Sequence, residues 1–352
     1  MAPATPSRTL PKSNFQQSIA SAAATGSQLS ASSLLNEASV PHIDVPPGPA
    51  PSPFNYPNHV IPPPTYSGID SLVIVCCHAI FHPDDTNPSF PLKSPHDESN
   101  WHLAPFQQSN PDTGKPGEQE TFLAHINAGL DALVTGPLAG RCLLVFSGSA
   151  TKRTLTPLSE ARSYYNAALA QALAQGLSGG GPAKDFFDHG RILLEEHATD
   201  SFQNLLFSIL LFRHRAGHYP KEVCIITHAF KAKRFLELHA PAIRWPSYRL
   251  RVQGIDPVMS REELEDTVSG EERFGFAPWQ DDPLGTGDAL SNKRVTRGWS
   301  NDTIRELHDG LEESVKQLLD GTVPTDLPWE DPVEPSDANA DANALVQEAK
   351  AA

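Results

Sequence analysis

The octapeptide THAFKAKR (227–234) leaves an apolar run, EVCII, and gathers polar chemistry within two turns of chain. Lys231 and Arg234 stand three apart, hence on one face if the segment is helical. Two cations at a helix N-terminus oppose its dipole and repel each other, so the pair makes sense facing an anion such as phosphate or carboxylate. Two solvated surface cations are the plain alternative. Thr227 and His228 come just before, where a hydroxyl and an imidazole could hydrogen-bond a ligand or move a proton. Three further stretches share this layout of a polar cluster after an apolar run. His78 follows SLVIVCC. Ser147-Gly148-Ser149 follows RCLLVF, where small residues let backbone N–H groups approach an anion, although an ordinary turn uses the same residues. Lys152 and Arg153 add positive charge nearby. The third stretch, EEHATDSFQN (195–204), follows RILL. Thr199 or Asp200 can cap a helix there, and Ser201 and Asn204 share a helix face. Capping leaves Asn204 unexplained, because its amide is costly in a buried helix unless it is bonded. Glu160, beside the candidate cap Ser159, adds a carboxylate at the first turn of another helix.

The apolar runs must position these groups. SLVIVCCHAIF (71–81), RCLLVFSGSA (141–150), RILLEE (191–196), EVCIITHAF (222–230) and YRLRVQGID (248–256) read as strands. The first is continuous and β-branched, the mark of a strand buried on both faces. EQETFLAHINAGLDALV (118–134) sets Phe122, Ile126, Leu130 and Leu133 at helical spacing. Residues 158–176, 200–217 and 231–243 also read as helices, and GLSGGGPA as a flexible connector. This alternation predicts an α/β fold, an open, doubly wound, mostly parallel sheet of about five strands, Rossmann-like in the broad sense. Ligands of such sheets bind beyond the carboxyl ends of the strands, where every cluster above falls. The polar loop after the first strand is long enough to act as a lid. Residues 257–300 read as irregular, and 301–321 as a last helix with Ile304, Leu307, Leu311, Val315 and Leu318 in one stripe.

Taken in order, these pieces resemble the YdcF/SanA-like family, catalogued as domain of unknown function 218. Its pattern is a buried strand, then SGG…SEA, then E-x-x-S-x-N-T-x-E-N, then V-T-x-x-F-H-x-x-R-A. Ser147-Gly148-Ser149 and Ser159-Glu160-Ala161 stand for the second piece. Glu195, Ala198, Asp200-Ser201, Gln203 and Asn204 take the third, which selects Glu195 over Glu196; neighbours in a strand point to opposite faces. Thr227 to Arg234 take the fourth, with Lys231 where the family has His. The resemblance covers about residues 70–256, and Gly254–Pro257 and Asp282–Gly285, followed by Lys293 and Arg294, look like the family's fungal branch. It implies a Rossmann-like fold and an enzyme. A lysine of ordinary pKa cannot exchange protons near neutrality as histidine can. If the family's histidine does proton chemistry, this chain has lost it or moved it to His228; if it only holds an anion, Lys231 serves as well.

Composition narrows the classes. With 42 acidic and 27 basic residues, the net charge of -15 gives no electrostatic help in binding nucleic acid or an anionic membrane. No apolar stretch reaches the roughly 20 residues of a membrane span, and no secretory apolar core opens the chain. Cys76, Cys77, Cys142 and Cys224 lie in apolar runs without CxxC spacing, which speaks against zinc and for a reducing compartment such as the cytoplasm. A mitochondrial address is the alternative, since the first 36 residues hold no Asp or Glu but do hold Arg8 and Lys12. Residues 1–66 read as a disordered Ser/Ala- and Pro-rich leader able to dock a small protein module. One domain with a C-terminal extension spans 67–323, and a disordered acidic tail 324–352.

Neither GxGxxG nor GxxxxGK[ST] is present, so no dinucleotide or P-loop cofactor is indicated. The expected function is that of a hydrolase or group transferase acting on an anionic, nucleotide-like or phosphorylated small molecule. Glu195, His78 and His228 are the acid/base candidates. Ser147, Gly148, Ser149, Glu160, Ser201, Asn204, Thr227, Lys231 and Arg234 are the ligand-binding candidates. The competing readings are a non-catalytic scaffold with a degraded site, and a metal hydrolase built on His78, His82, Asp84 and Asp85, whose spacing matches no familiar ligand set.

Overall fold

Strand β1 (Ser71–Cys76) has all six residues buried, because helices cover both of its faces. In the computed structural model, which describes residues 64–82, 93–300 and 302–330, it lies at the centre of a five-stranded parallel sheet. The other strands are β4 (Cys142–Ser147), β5 (Ile192–Glu195), β6 (Glu222–Thr227) and β7 (Leu250–Gly254). Their order across the sheet is β5-β4-β1-β6-β7. A two-stranded antiparallel ribbon, β2 (Ile80–Phe81) with β3 (Trp101–His102), begins the loop after β1. The expected Rossmann-like α/β architecture is therefore present. The leader before residue 64, the lid segment 83–92 and the tail from 331 lie outside the described residues.

The alternation of β1 sends Val73, Val75 and Cys77 to one face and Leu72, Ile74 and Cys76 to the other. On the first face lie α1 (Gln119–Val134), α2 (Glu160–Ala174) and α3 (Gly181–Asp188). Gly129 lets α1 ride close, since a Cβ there would come within 2.8 Å of Val75 and 2.9 Å of Leu144. Side-chain caps start α2 and α4 (Ser201–Ala216): Ser159 accepts from the Arg162 N–H, and Asp200 from the Gln203 N–H. Helix α4 covers the second face and is itself covered by the C-terminal third of the chain through Trp279, Leu284, Leu290, Leu311, Val315 and Leu318.

That third departs from the sequence reading. Residues 257–300 are largely helical, with α6 (261–281, containing a π-turn at Glu271–Phe276) and α7 (Asp288–Thr296). The helix read over 301–321 is two pieces, α8 (Asp302–Leu307) and α9 (Glu313–Leu319); Gly310 takes a left-handed φ of 67° between them. The supposed connector GLSGGGPA contains the first residues of α3. Order also runs past Pro324: Leu327 and Trp329 are buried, and the Trp329 indole N–H donates to the Ile243 carbonyl at 2.8 Å. Burial of one such side chain contributes about 1.5–3 kcal/mol, enough to hold the segment down. Between β6 and β7, a single 3-10 turn leads into α5 (232–242), which contains a second π-turn, Phe235–His239. The π-turn carries His239 to the start of α4, where its Nε2 lies 2.8 Å from the Ser201 hydroxyl.

Candidate functional site

Chain progression reverses between β1 and β6. From β1 the chain steps outward to β4 and β5, then returns across the sheet to β6 and β7. Parallel sheets bind ligands in the crevice this reversal opens at the strands' carboxyl ends. A cavity of about 770 Å³ occupies that position, within the size range of small-molecule sites.

Each wall follows from an element already described. His78 enters from the end of β1, and Thr227 and His228 from the end of β6. Ser201 and Asn204 come from the first turn of α4, Glu160 from the start of α2, and Lys231 and Arg234 from the start of α5. The long loop contributes Ala104, Phe106 and Gln107; Phe106 is 73% exposed, and the Gln107 side chain donates to the His78 carbonyl at 3.2 Å. Helices α6 and α7 close the far side with Glu271, Trp279, Lys293 and Arg297.

Eight of the twelve catalytic and ligand-binding candidates thus meet at one cavity: His78, Glu160, Ser201, Asn204, Thr227, His228, Lys231 and Arg234. Glu195, Ser147, Gly148 and Ser149 are not among its lining residues. The Ser147 hydroxyl donates to Glu195 Oε2 at 2.5 Å and lies 3.1 Å from Asn204 Oδ1. Glu195 Oε1 accepts the N–H groups of His197 and Ala198 at 2.7 and 3.0 Å. Burial pushes its pKa up to about 7, against these hydrogen bonds, which pull it down. Glu195 is therefore a buried tie between β4, β5 and the turn into α4, behind the Asn204 wall. The anion-binding nest expected at Ser147-Gly148-Ser149 is also closed: the Gly148 N–H donates to the Glu195 carbonyl at 3.0 Å, and the Ser149 N–H to that of Ala198 at 2.8 Å. Gly148 is required instead by the close approach of Glu160, whose Cβ would lie 3.0 Å from an added Cβ.

The electrostatics of the α5 and α7 walls are unusual. Arg234 is paired with Glu271 at 3.3 Å, and Asp200 is taken by Arg294 at 2.6 Å. Among the described residues, Lys231, Lys293 and Arg297 have no carboxylate within ion-pair distance. Arg297 Nη1 donates to the Thr199 carbonyl at 2.7 Å. Burial and the Arg234 charge push the Lys231 pKa down to about 8. Burial, then Arg297 and Arg234, lower that of Lys293; burial lowers that of Arg234, with Arg297 adding to the effect. Cations that depress one another are a prepared seat for negative charge. Lys293 and Arg297 stand at the C-terminal end of α7, where the helix dipole favours them.

The histidines form a second group. His78, His125 and His228 cluster with ring centroids 4.5–5.7 Å apart. Burial lowers all three pKa values, most strongly for His78 and His228, so the rings are neutral near pH 7. His78 has both nitrogens engaged, with Thr227 Oγ1 at 3.2 Å and Lys231 Nζ at 3.4 Å. Since the ammonium can only donate, Nδ1 is the acceptor and Nε2–H the donor. His228, by contrast, has no hydrogen-bond partner on either nitrogen, and Glu118 stands 3.7 Å away.

Arg297, Glu271, Trp279 and Phe106 escape the sequence reading, and Lys293 enters it only through the fungal-branch resemblance, without a site role. A signal for two of them exists in SNKRVTRG, where Lys293 and Arg297 are four apart and Gly298 stops a helix. Of the metal-hydrolase candidates, His82 lies beside His102 with ring centroids 4.6 Å apart, Asp84 and Asp85 lie outside the described residues, and among the described residues no three His, Cys, Asp or Glu side chains converge as a metal needs. Among the same residues no helix is long and apolar enough to cross a membrane.

The chain is similar to an uncharacterised protein of Saccharomyces cerevisiae, YOR238W, at 27% identity over 309 aligned residues that span 74% of this chain and 97% of the yeast protein. No family model matches the chain, and no solved structure matches it significantly.

Proposed function

We propose that this protein is a cytoplasmic YdcF/SanA-like enzyme, a hydrolase or group transferase, whose switch-point cavity takes a phosphorylated, nucleotide-like small molecule. The observation that carries the reading is the set of unpaired cations, Lys231, Lys293 and Arg297, converging on the cavity of an acidic protein. Lys231 and Arg297 are half-buried and Lys293 is exposed at the rim; enclosing like charges together without a counter-charge is costly, so such a set suits a ligand that supplies it. Aromatic walls from Phe106, Phe230 and Trp279 suit the flat part of a nucleotide-like ligand. His228, neutral and unpartnered, is the group best placed to accept a proton from the substrate or a water. The four buried free thiols favour the cytoplasm.

The test is a thermal-shift and calorimetric screen with inorganic phosphate, nucleotides, sugar phosphates and methyl donors. Stabilisation by phosphorylated compounds is expected, lost in Lys231→Ala and Arg297→Ala. Absence of a shift with every anion would sink the proposal. Turnover assays on the binders, with His228→Ala, then separate an enzyme from a binding protein.

A further inference from the structure

Lys231 differs from the other cations of the cavity in its neighbours. Its Nζ faces a neutral imidazole nitrogen, His78 Nδ1, at 3.4 Å, and no carboxylate holds it. It remains partly exposed at the cavity wall, with the Phe230 ring centroid 5.6 Å from Nζ. A half-buried lysine beside other cations, facing a neutral imidazole acceptor, is an arrangement that favours the free, nucleophilic amine. We propose that Lys231 is a reactive amine that condenses with the carbonyl of a phosphorylated aldehyde or ketone, whose phosphate Lys293 and Arg297 hold. This rests on the anion-binding reading of the cavity.

The chemistry balances without an outside reagent. Lys231 releases one proton to water at the cavity wall, the neutral amine stays hydrogen-bonded to His78 Nδ1, and the free amine pair attacks the carbonyl carbon. A C–N bond forms as the C=O π pair moves to oxygen. A second proton leaves nitrogen, the oxygen takes up both protons and departs as water with the C–O bond pair, and the nitrogen lone pair closes the C=N bond of a protonated imine. Thr227 Oγ1, 3.2 Å from His78 Nε2, fixes the ring with Nδ1 towards the amine. The Lys231 pKa of about 8 leaves roughly a tenth of the amine neutral near pH 7, far more than for an ordinary lysine.

Pyridoxal 5′-phosphate, a phosphorylated aldehyde, is the probe. The full-length protein is incubated with it, reduced with borohydride and mapped by peptide mass spectrometry, with inorganic phosphate as competitor. The expected result is one dominant adduct, on Lys231, suppressed by phosphate and lost in Lys231→Arg, which keeps a cation without a nucleophilic amine. His78→Ala is expected to slow adduct formation several-fold while folding is verified by circular dichroism. Adducts spread evenly over surface lysines, or unaffected by phosphate, would overturn the proposal. Phosphate binding by calorimetry with no Lys231 adduct defeats the reactive amine and leaves the anion site standing; no phosphate binding defeats both.

Discussion

Glu195 allows a quantitative test of how the strand ends are tied together. The side chain is 2% exposed and accepts three hydrogen bonds, yet burial holds its pKa near 7 against an ordinary 4.5. The folded protein therefore keeps this proton over a range where the unfolded chain has released it. Stability then falls as pH rises from about 4.5 to about 7 and levels off above, because the folded state binds more protons there. At about 1.4 kcal/mol for each pKa unit, the loss is on the order of 3 kcal/mol. Glu195→Gln removes the titration while keeping the shape. One amide oxygen can accept the His197 and Ala198 N–H groups, and the amide NH2 can donate to the Ser147 hydroxyl, which then turns its own proton to Asn204 Oδ1 at 3.1 Å. Urea unfolding of both proteins at several pH values between 5 and 8 gives the difference in stability between them, in which the buried histidines common to both cancel. The variant should gain on the wild type by about 2–3 kcal/mol between pH 5 and 7.5. A difference that does not change with pH would refute the buried, near-neutral carboxyl. Glu195→Ala, which orphans the His197 and Ala198 N–H groups, should cost about 2–4 kcal/mol at pH 5.

Phosphate affinity, measured by calorimetry between pH 6.5 and 9, should weaken as pH rises through about 8, since a bound anion favours protonated Lys231 and binding takes up a proton. Constant affinity would remove Lys231 from the anion seat. Gly254→Ala places a Cβ 2.4 Å from both Cα and Cβ of Ala229, so the start of α5 must shift; a stability loss of about 1–3 kcal/mol and weaker phosphate binding are expected together. Trp329→Ala should cost about 3–5 kcal/mol in urea unfolding, since the ring is buried and its N–H holds the Ile243 carbonyl. A loss under 1 kcal/mol would mean that the 324–330 segment does not support the core.

The sheet was legible because β1, β4 and β6 are continuous apolar runs, with a segment that reads as a helix between each strand and the next. The address of the site followed from the sheet, and eight named residues reach it. What failed has two causes. Residues 257–300 are dense in Pro, Gly and Asp, which hides helices stabilised by tertiary contacts such as Trp279 on Phe202, 5.7 Å between centroids. The role of Glu195 turns on register: Ser147 pairs with Glu195 across β4 and β5, which places the two side chains together at their strand ends. Nothing local in EEHATDSFQN says whether its carboxylate faces the cavity or the strand behind it. The altered basicity of Lys231 is equally non-local, since it comes from enclosure and from charges on other elements.

The cover of α4 has a consequence for biogenesis. The apolar residues of α4 leave the ribosome well before Trp279, Leu311 and Val315, which later shield them. During synthesis, at about 5–20 residues per second, the nascent sheet therefore presents one greasy, unshielded side for several seconds. Chaperone capture in that interval, and aggregation when synthesis stalls after β7, follow from the order in which the chain supplies its own wrapping.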